Sequence, residues 1–529
     1  MARLKLYQIF FSILTIFLLV GCSDDASSSN KESEKKESEN QDKAKTLKMA
    51  FYEEPATLDT HLVPSAAAAH IAANIFETLL TVDSNDNIQP MLADSWEMSD
   101  DGLSIIFHLR EGIPFHNGKE MAAEDVVASM NRWIEISLYG QQVFGESKFE
   151  EIDQYTVKLV LEEPTSIALT VLAFGSGHFP AIMPKEIIDN AGPNGVQEYI
   201  GTGPFKMNEH RKDQYINLVK HQEYKPRSEK SDGSAGARLA LVDEVYINFV
   251  KDPSTRIAGV MSGEYDISLN IPSNSVGQLE NDPNINIHVE PSGNLELYFN
   301  KKKGVFTDKN VRQAVAAGID YDEIMQNAFY DEKYYDLTHN VMLKRQENKW
   351  NSDNGKDLFN VHDLDKAKEF LAKSSYNGEE IVILTRRDTD AMYKSTVVLQ
   401  QQLEQIGIKS KLEVVDGATY RELRTDENAY DIFPVTNVPR AEPLTSPFFA
   451  QNNLGFTDSK ELEAIVAEFN SKKSIEEAIP LYDDLQAWFW DYLPIIKLGD
   501  MTNINASQKN IENFKYADSM MLYNVEVLD

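Results

Sequence analysis

Few of the residue combinations that run covalent or hydrolytic chemistry occur in this chain. Ser176 stands directly between Gly175 and Gly177, whereas a nucleophile elbow spaces its serine one residue from each glycine. Gly118-Lys119 lacks the upstream glycine and the following Ser or Thr of a phosphate-cradling loop. No His-Glu-x-x-His pair exists, and the ten histidines are scattered, so no zinc-hydrolase spacing is present. His108 and His116 read as structural or surface histidines. Asp and Glu number 84, so carboxylate pairs carry no information about a glycosidase-type site. Nothing here is a positive sign of an enzyme, and no cofactor or metal is expected.

The lone cysteine, Cys22, excludes disulfides, CxxC redox chemistry and cysteine-rich zinc sites within the chain. Its chemistry follows from what precedes it. Arg3 and Lys5 form a short positive region, and Ile9 to Val20 is apolar except for Ser12 and Thr15. That suits a secretory signal peptide, and is short for a span, which needs ~20 apolar residues. Leu19-Val20-Gly21-Cys22 resembles the bacterial lipobox. The resemblance implies that residues 1–22 are a lipoprotein signal peptide and that the Cys22 thiol is diacylated. Residues 23–45, mostly Ser, Lys, Glu, Asn and Asp, bury no apolar area and read as a disordered polar tether. The expected location is the extracytoplasmic face of the cell membrane, with the lipid as the only membrane attachment.

The 529 residues allow roughly three lobes at ~100–200 residues per domain. Hydrophobic residues make up 42% and charged residues 26%, an ordinary globular balance. A formal net charge of −33 argues against a general nucleic-acid binder. Strands are expected at Leu47–Tyr52, Leu103–Leu109, Tyr155–Leu161, Tyr265–Leu269, Glu380–Leu384 and Lys409–Val415. Helices are expected over the Ala-rich segment Pro64–Leu80, at Glu124–Trp133, after Asp252-Pro253, at Asp363–Ala372 and at Met392–Ile406. Gly263 and Gly407 close two of these helices. Lys225–Arg238 reads as a surface loop, and Trp96 and Phe107 as core aromatics. Helices and strands alternate throughout, which gives an α/β or mixed class.

A family resemblance rests on a series of segments in order. Ile75-Phe76-Glu77-Thr78-Leu79-Leu80 is followed by Pro90-Met91-Leu92-Ala93-Asp94-Ser95-Trp96-Glu97, then Phe107-His108-Leu109-Arg110-Glu111-Gly112 and Phe115-His116-Asn117-Gly118-Lys119. Gly201-Thr202-Gly203-Pro204-Phe205, Val311-Arg312-Gln313-Ala314 and Tyr492-Leu493-Pro494-Ile495-Ile496 continue it. The series resembles the extracytoplasmic solute-binding proteins of ABC importers, family 5, the peptide/nickel class. The resemblance implies an α/β, two-lobed periplasmic-binding-protein-like fold of class II with an extra subdomain in the first lobe. It places lobe I at 46–78, 200–290 and 498–529, the extra subdomain at 79–199 and lobe II at 291–497. A small solute is enclosed between the lobes and delivered to permease subunits driven by ATPase subunits. The chain is expected to be monomeric.

Dipeptide receptors of this family carry Gly-Trp-x-Gly-Asp at the end of a lobe II strand, where the Asp pairs with the ligand ammonium. Aligned on Tyr430-Asp431-Ile432 and Glu442-Pro443, Arg440 falls at that Asp and Asn437 at the Trp, with one residue deleted between Arg440 and Glu442. An arginine accepts no hydrogen bond and pairs bidentately with carboxylate or phosphate. The expectation is therefore a peptide-like or anionic solute, free or as a metal chelate, anchored by Arg440. The alternatives are that Arg440 faces solvent or pairs with Glu442. Arg387, Asn437, Tyr139, Ser65 and His178 are the other candidate contacts. Competing readings are a receptor for ordinary di- and oligopeptides, a secreted enzyme, and a surface signalling receptor on the same fold.

Overall fold

The computed structural model describes residues 44–529 apart from 64, 174–178, 439, 452, 517–518 and 529. Cys22, its apolar run, the tether up to residue 43 and His178 therefore lie outside the described residues. Among the described residues no helix is long and apolar enough to cross a membrane.

Thr46–Phe51 buries Leu47, Met49 and Phe51 completely and leaves Lys48 exposed, since alternate side chains point to opposite faces of a strand. It pairs in parallel with Glu244–Phe249 and with Ile267–Ser268. These strands continue through the antiparallel Tyr215–Lys220 and Phe205–Arg211 to one edge of a large mixed sheet. The opposite edge is Ser410–Val415, Ile381–Arg386 and Ile432–Asn437. Between the halves run two long antiparallel strands, Ile285–Phe299 and Ile495–Gln508, paired from Ile285–Gln508 to Tyr298–Ile495. Register shifts at Pro291/Gly293 and Leu295/Glu296 interrupt their ladder. A separate antiparallel sheet orders Ala93–Met98, Ser104–Leu109, Thr156–Val160 and Lys148–Asp153, with helix Ala123–Ile136 against it through Val126, Met130 and Trp133.

Most expected elements form, and their caps explain their limits. Asp252 accepts from Thr255 N at 2.8 Å to start helix Pro253–Ser262, and Gly263 and Gly407 end their helices in the left-handed region. The expected helix over Pro64–Leu80 is instead a short helix, Ala66–Ala72, followed by irregular chain and strand Leu80–Val82. Asn74 is the reason. Its amide donates to His70 O and Met520 O, both at 2.9 Å, and its oxygen accepts from Leu522 N at 2.9 Å. The chain is thereby turned onto the C-terminal segment, where Ile75, Phe76 and Leu79 are buried without helical spacing.

Two further expectations are corrected. Phe107 is a core residue, but Trp96 is half-buried and lines a groove with Met98, opposite Ser474 to Glu476. Lys225–Arg238 is not simply a surface loop. Arg227 pairs with Asp94 at 3.0 Å and Glu229 at 2.8 Å, and the Arg238 guanidinium is buried, 3.9 Å from Glu77 and over the Tyr523 ring. Its polar composition conceals one buried ion pair, Arg238–Glu77, and the Arg227 pairs nearer the surface.

Candidate functional site

Strand geometry sends alternate side chains to one face, so Ile285–Phe299 presents Asn294, Glu296 and Tyr298 together. The register sets Asn437 beside Asn294 and Phe433 beside Tyr298 on one flank. On the other flank it sets Lys497 beside Glu296 and Asp500 beside Asn294. The Asn437 amide donates to Glu296 Oε2 at 2.5 Å. Lys497 donates to the carbonyls of Asn340 at 3.0 Å and Met342 at 2.7 Å, and lies 2.6 Å from Asp500. The result is a buried polar island in the middle of the sheet. Burial disfavours the charged form and pushes the Glu296 carboxyl up to about 7, with Arg440 and Lys497 pulling it the other way.

The loop after Asn437 closes over this island. Arg440 Nη1 donates to Thr445 O at 2.6 Å. The loop backbone is held from outside by Gln346, which donates to Arg440 O at 2.7 Å, and by Trp350 Nε1, which donates to Ala441 O at 3.2 Å. Glu442 is fully buried. Its Oε2 accepts from Leu444 N at 2.9 Å, whereas its Oε1 has no hydrogen-bond partner. Burial pushes Glu442 up to about 7 against the backbone N–H groups and Arg440. From the far wall, helix Leu138–Phe144 supplies Tyr139, whose neighbours are Glu442, Arg440 and Thr445. Burial and the Glu442 charge raise its phenol above the ordinary range. Asn294 Oδ1 is likewise buried without a hydrogen-bond partner, and the buried Tyr298 phenol faces Glu296 and Asn437.

Of the residues singled out from sequence, Arg440, Asn437 and Tyr139 come together here. Arg387 does not join them: it is exposed, stacked over the Tyr393 ring at 5.1 Å. Ser65 caps helix Ala66–Ala72, its hydroxyl accepting from Ala68 N at 3.2 Å. His178 and Cys22 lie outside the described residues. His116 is structural: Nε2 meets Gly203 O at 3.1 Å, Nδ1 accepts from Gly201 N at 3.2 Å, and burial drives it down to about 3. His108 is half exposed beside Glu97. Sequence reasoning missed Glu296, Tyr298 and Gln346, and took Glu442 only as a partner for Arg440. Alternating polar residues in the apolar run Asn294-Leu295-Glu296-Leu297-Tyr298 were a signal for the first two. Gln346 has no local signature.

The cluster offers guanidinium, amide and phenol donors beside carboxylate acceptors, which is equipment for recognition. Among the described residues no group of three or more His, Cys, Asp and Glu is placed to hold a metal ion.

Comparison with known proteins agrees with this architecture. Residues 87–456 match the sequence model described as bacterial extracellular solute-binding proteins, family 5 Middle. The probable peptide ABC transporter periplasmic-binding protein y4tO of Sinorhizobium fredii is 27% identical over 506 residues, covering 91% of this chain and 93% of its own. The Escherichia coli glutathione-binding protein GsiB is 25% identical over 494 residues, covering 89% and 92%. The solved structure of AgaA from A. tumefaciens R10 with agropinic acid superposes with a TM-score of 0.77 at 24% identity, over 92% of this chain and 99% of that one. Two sheet halves joined by long crossing strands, with a polar island where they meet, are the two-lobed periplasmic-binding fold, and the chain belongs to the bacterial extracellular solute-binding proteins of family 5.

Proposed function

We propose that this chain is a lipid-anchored receptor that captures a small solute between its lobes and delivers it to the permease and ATPase subunits of an ABC importer. Lobe I is assigned to 46–78, 200–290 and 498–529, the extra subdomain to 79–199 and lobe II to 291–497. The crossing strands Ile285–Phe299 and Ile495–Gln508 support that division, since they run through both sheet halves. Cys22 is assigned the lipid, the receptor is taken to act as a monomer at the extracytoplasmic face, and no catalytic step is assigned to it.

One observation carries the ligand class. Arg440 sits among Glu296, Glu442 and Tyr139, and the buried Glu442 Oε1 is unpartnered. A buried polar atom left without a hydrogen bond is costly. The solute that completes this site presents a carboxylate to Arg440 and a cationic N–H group to the glutamates. Peptides, amino-acid conjugates and organic chelates of a metal fit that description. Relatives named for peptide and glutathione binding support it.

The test is mass spectrometry of small molecules released on denaturing the purified protein. A released species with both an acidic and a basic group supports the reading; a neutral species overturns it. For the anchor, Cys22→Ala should move the protein from the membrane to the soluble fraction, and retention at the membrane would count against lipidation.

A further inference from the structure

Asp86 lies in a turn between strands Leu80–Val82 and Ile88–Pro90. The turn is stiffened by Asp83, which accepts from the amides of Asn85 at 2.9 Å and Asn87 at 3.0 Å, and by the left-handed backbone of Asp86 at φ 60°. This geometry aims the Asp86 carboxylate out of its own element into the segment 344–350, more than 250 positions along the chain. There Arg345 Nη1 meets both carboxylate oxygens, at 3.2 and 3.1 Å, and Gln346 Nε2 donates to Oδ2 at 2.6 Å. Lys349 Nζ reaches Asp86 O at 3.5 Å. Asp86 is 5% exposed, so the contact is desolvated and lopsided: breaking it strands a buried carboxylate.

The same Gln346 amide nitrogen donates to Arg440 O at 2.7 Å. One side-chain nitrogen thus ties the Asp86 turn to the backbone of the loop that presents Arg440. Trp350 fastens the next carbonyl, Ala441 O, from the same segment. Gln346 Oε1 is itself fixed by Leu343 N at 3.2 Å, so the amide cannot turn away without losing a bond at each end.

We propose that Asp86 and Gln346 are positioning residues for Arg440: docking of the Asp86 turn on segment 344–350 fixes the loop that carries the guanidinium, so this approach and the ordering of the site are one event. By reciprocity of linkage, anything that orders the Arg440 loop also favours the docked turn. The functional meaning rests on the reading of Arg440 as a solute contact, but the coupling itself is measurable without any solute.

The experiment is hydrogen exchange with mass-spectrometric readout on the whole chain in mild detergent. Asp86→Ala should raise exchange in 440–446, where Leu444 and Ser446 amides are bonded, about tenfold, and leave helix Asp390–Ile406 unchanged. Gln346→Leu should raise exchange in 440–446 to a similar extent while the Arg345 pair keeps 83–87 protected. If Asp86→Ala loosens the whole molecule, Gln346→Leu decides alone. Faster exchange confined to 83–87 in Asp86→Ala, or unchanged exchange at 440–446 in Gln346→Leu, overturns the coupling. If the coupling holds and Arg440→Ala still retains the same solute, only the solute-contact reading falls.

Discussion

The Asn437 amide sits 2.5 Å from the Glu296 carboxylate, reaching diagonally across a pair of antiparallel strands. That contact fixes where a buried acid stands, and the burial of this acid and of Glu442 makes the site sensitive to pH. Each carboxyl titrates at about 7 in the folded chain, against 4.5 without the fold. Between these values the folded state binds more protons than the unfolded one, so stability falls as pH rises through the window and the loss is complete above about 7. The upper bound is about 3 kcal/mol per group. Glu296→Gln and Glu442→Gln should each gain stability over the parent at about pH 8 and little at about pH 4.5. Urea unfolding at both values checks this; equal effects at the two would rule out titration of these groups as the cause.

Arg440→Ala should weaken retention of the solute by about a hundredfold, the loss of a charged hydrogen-bonding partner in a desolvated site. Calorimetric titration with the species recovered from the parent protein measures it. Unchanged affinity would mean that Arg440 only braces its own loop through Thr445 O.

Asp59 and Arg132 form a bidentate pair at 3.1 and 2.6 Å, and Asp59 also accepts from Val196 N at 2.9 Å. The Asp59 side chain is fully buried and that of Arg132 is 10% exposed. Asp59→Ala leaves the guanidinium without its counter-charge and should cost about 3–5 kcal/mol in urea unfolding. A cost below about 1 kcal/mol would mean that the pair behaves like an exposed one.

Gly293 has φ +123°, and a Cβ there would stand 1.7 Å from Asn437 O. Gly293→Ala should therefore push the crossing strand away from Ile432–Asn437, destabilising by at least about 1–3 kcal/mol and disturbing the Asn437–Glu296 bond. A thermal melt with a solute-retention assay reads both effects, and a variant that melts with the parent refutes the close approach.

Local rules made the fold largely legible. Asp252, Gly263, Asp363 and Gly407 announce helix ends because caps are set by the nearest few residues. The run Ala66 to Leu80 misled because Asn74 spends its amide on Met520 and Leu522, partners far along the chain that no window contains. Within the site, Arg440 stood out because an arginine replaces an acid expected from the resemblance. Glu296 and Tyr298 were hidden inside an apolar strand, and Gln346 acquires its importance only from the two acceptors that flank it in space. Residues whose part is assigned by tertiary partners leave no pattern in sequence.

The two register shifts in the crossing pair, at Pro291/Gly293 and Leu295/Glu296, bracket Asn294. A ladder interrupted in this way bends and twists more strongly than a regular one. Asn294 therefore stands where the pairing of the crossing strands is least regular, with Asn437 on one flank and Asp500 on the other.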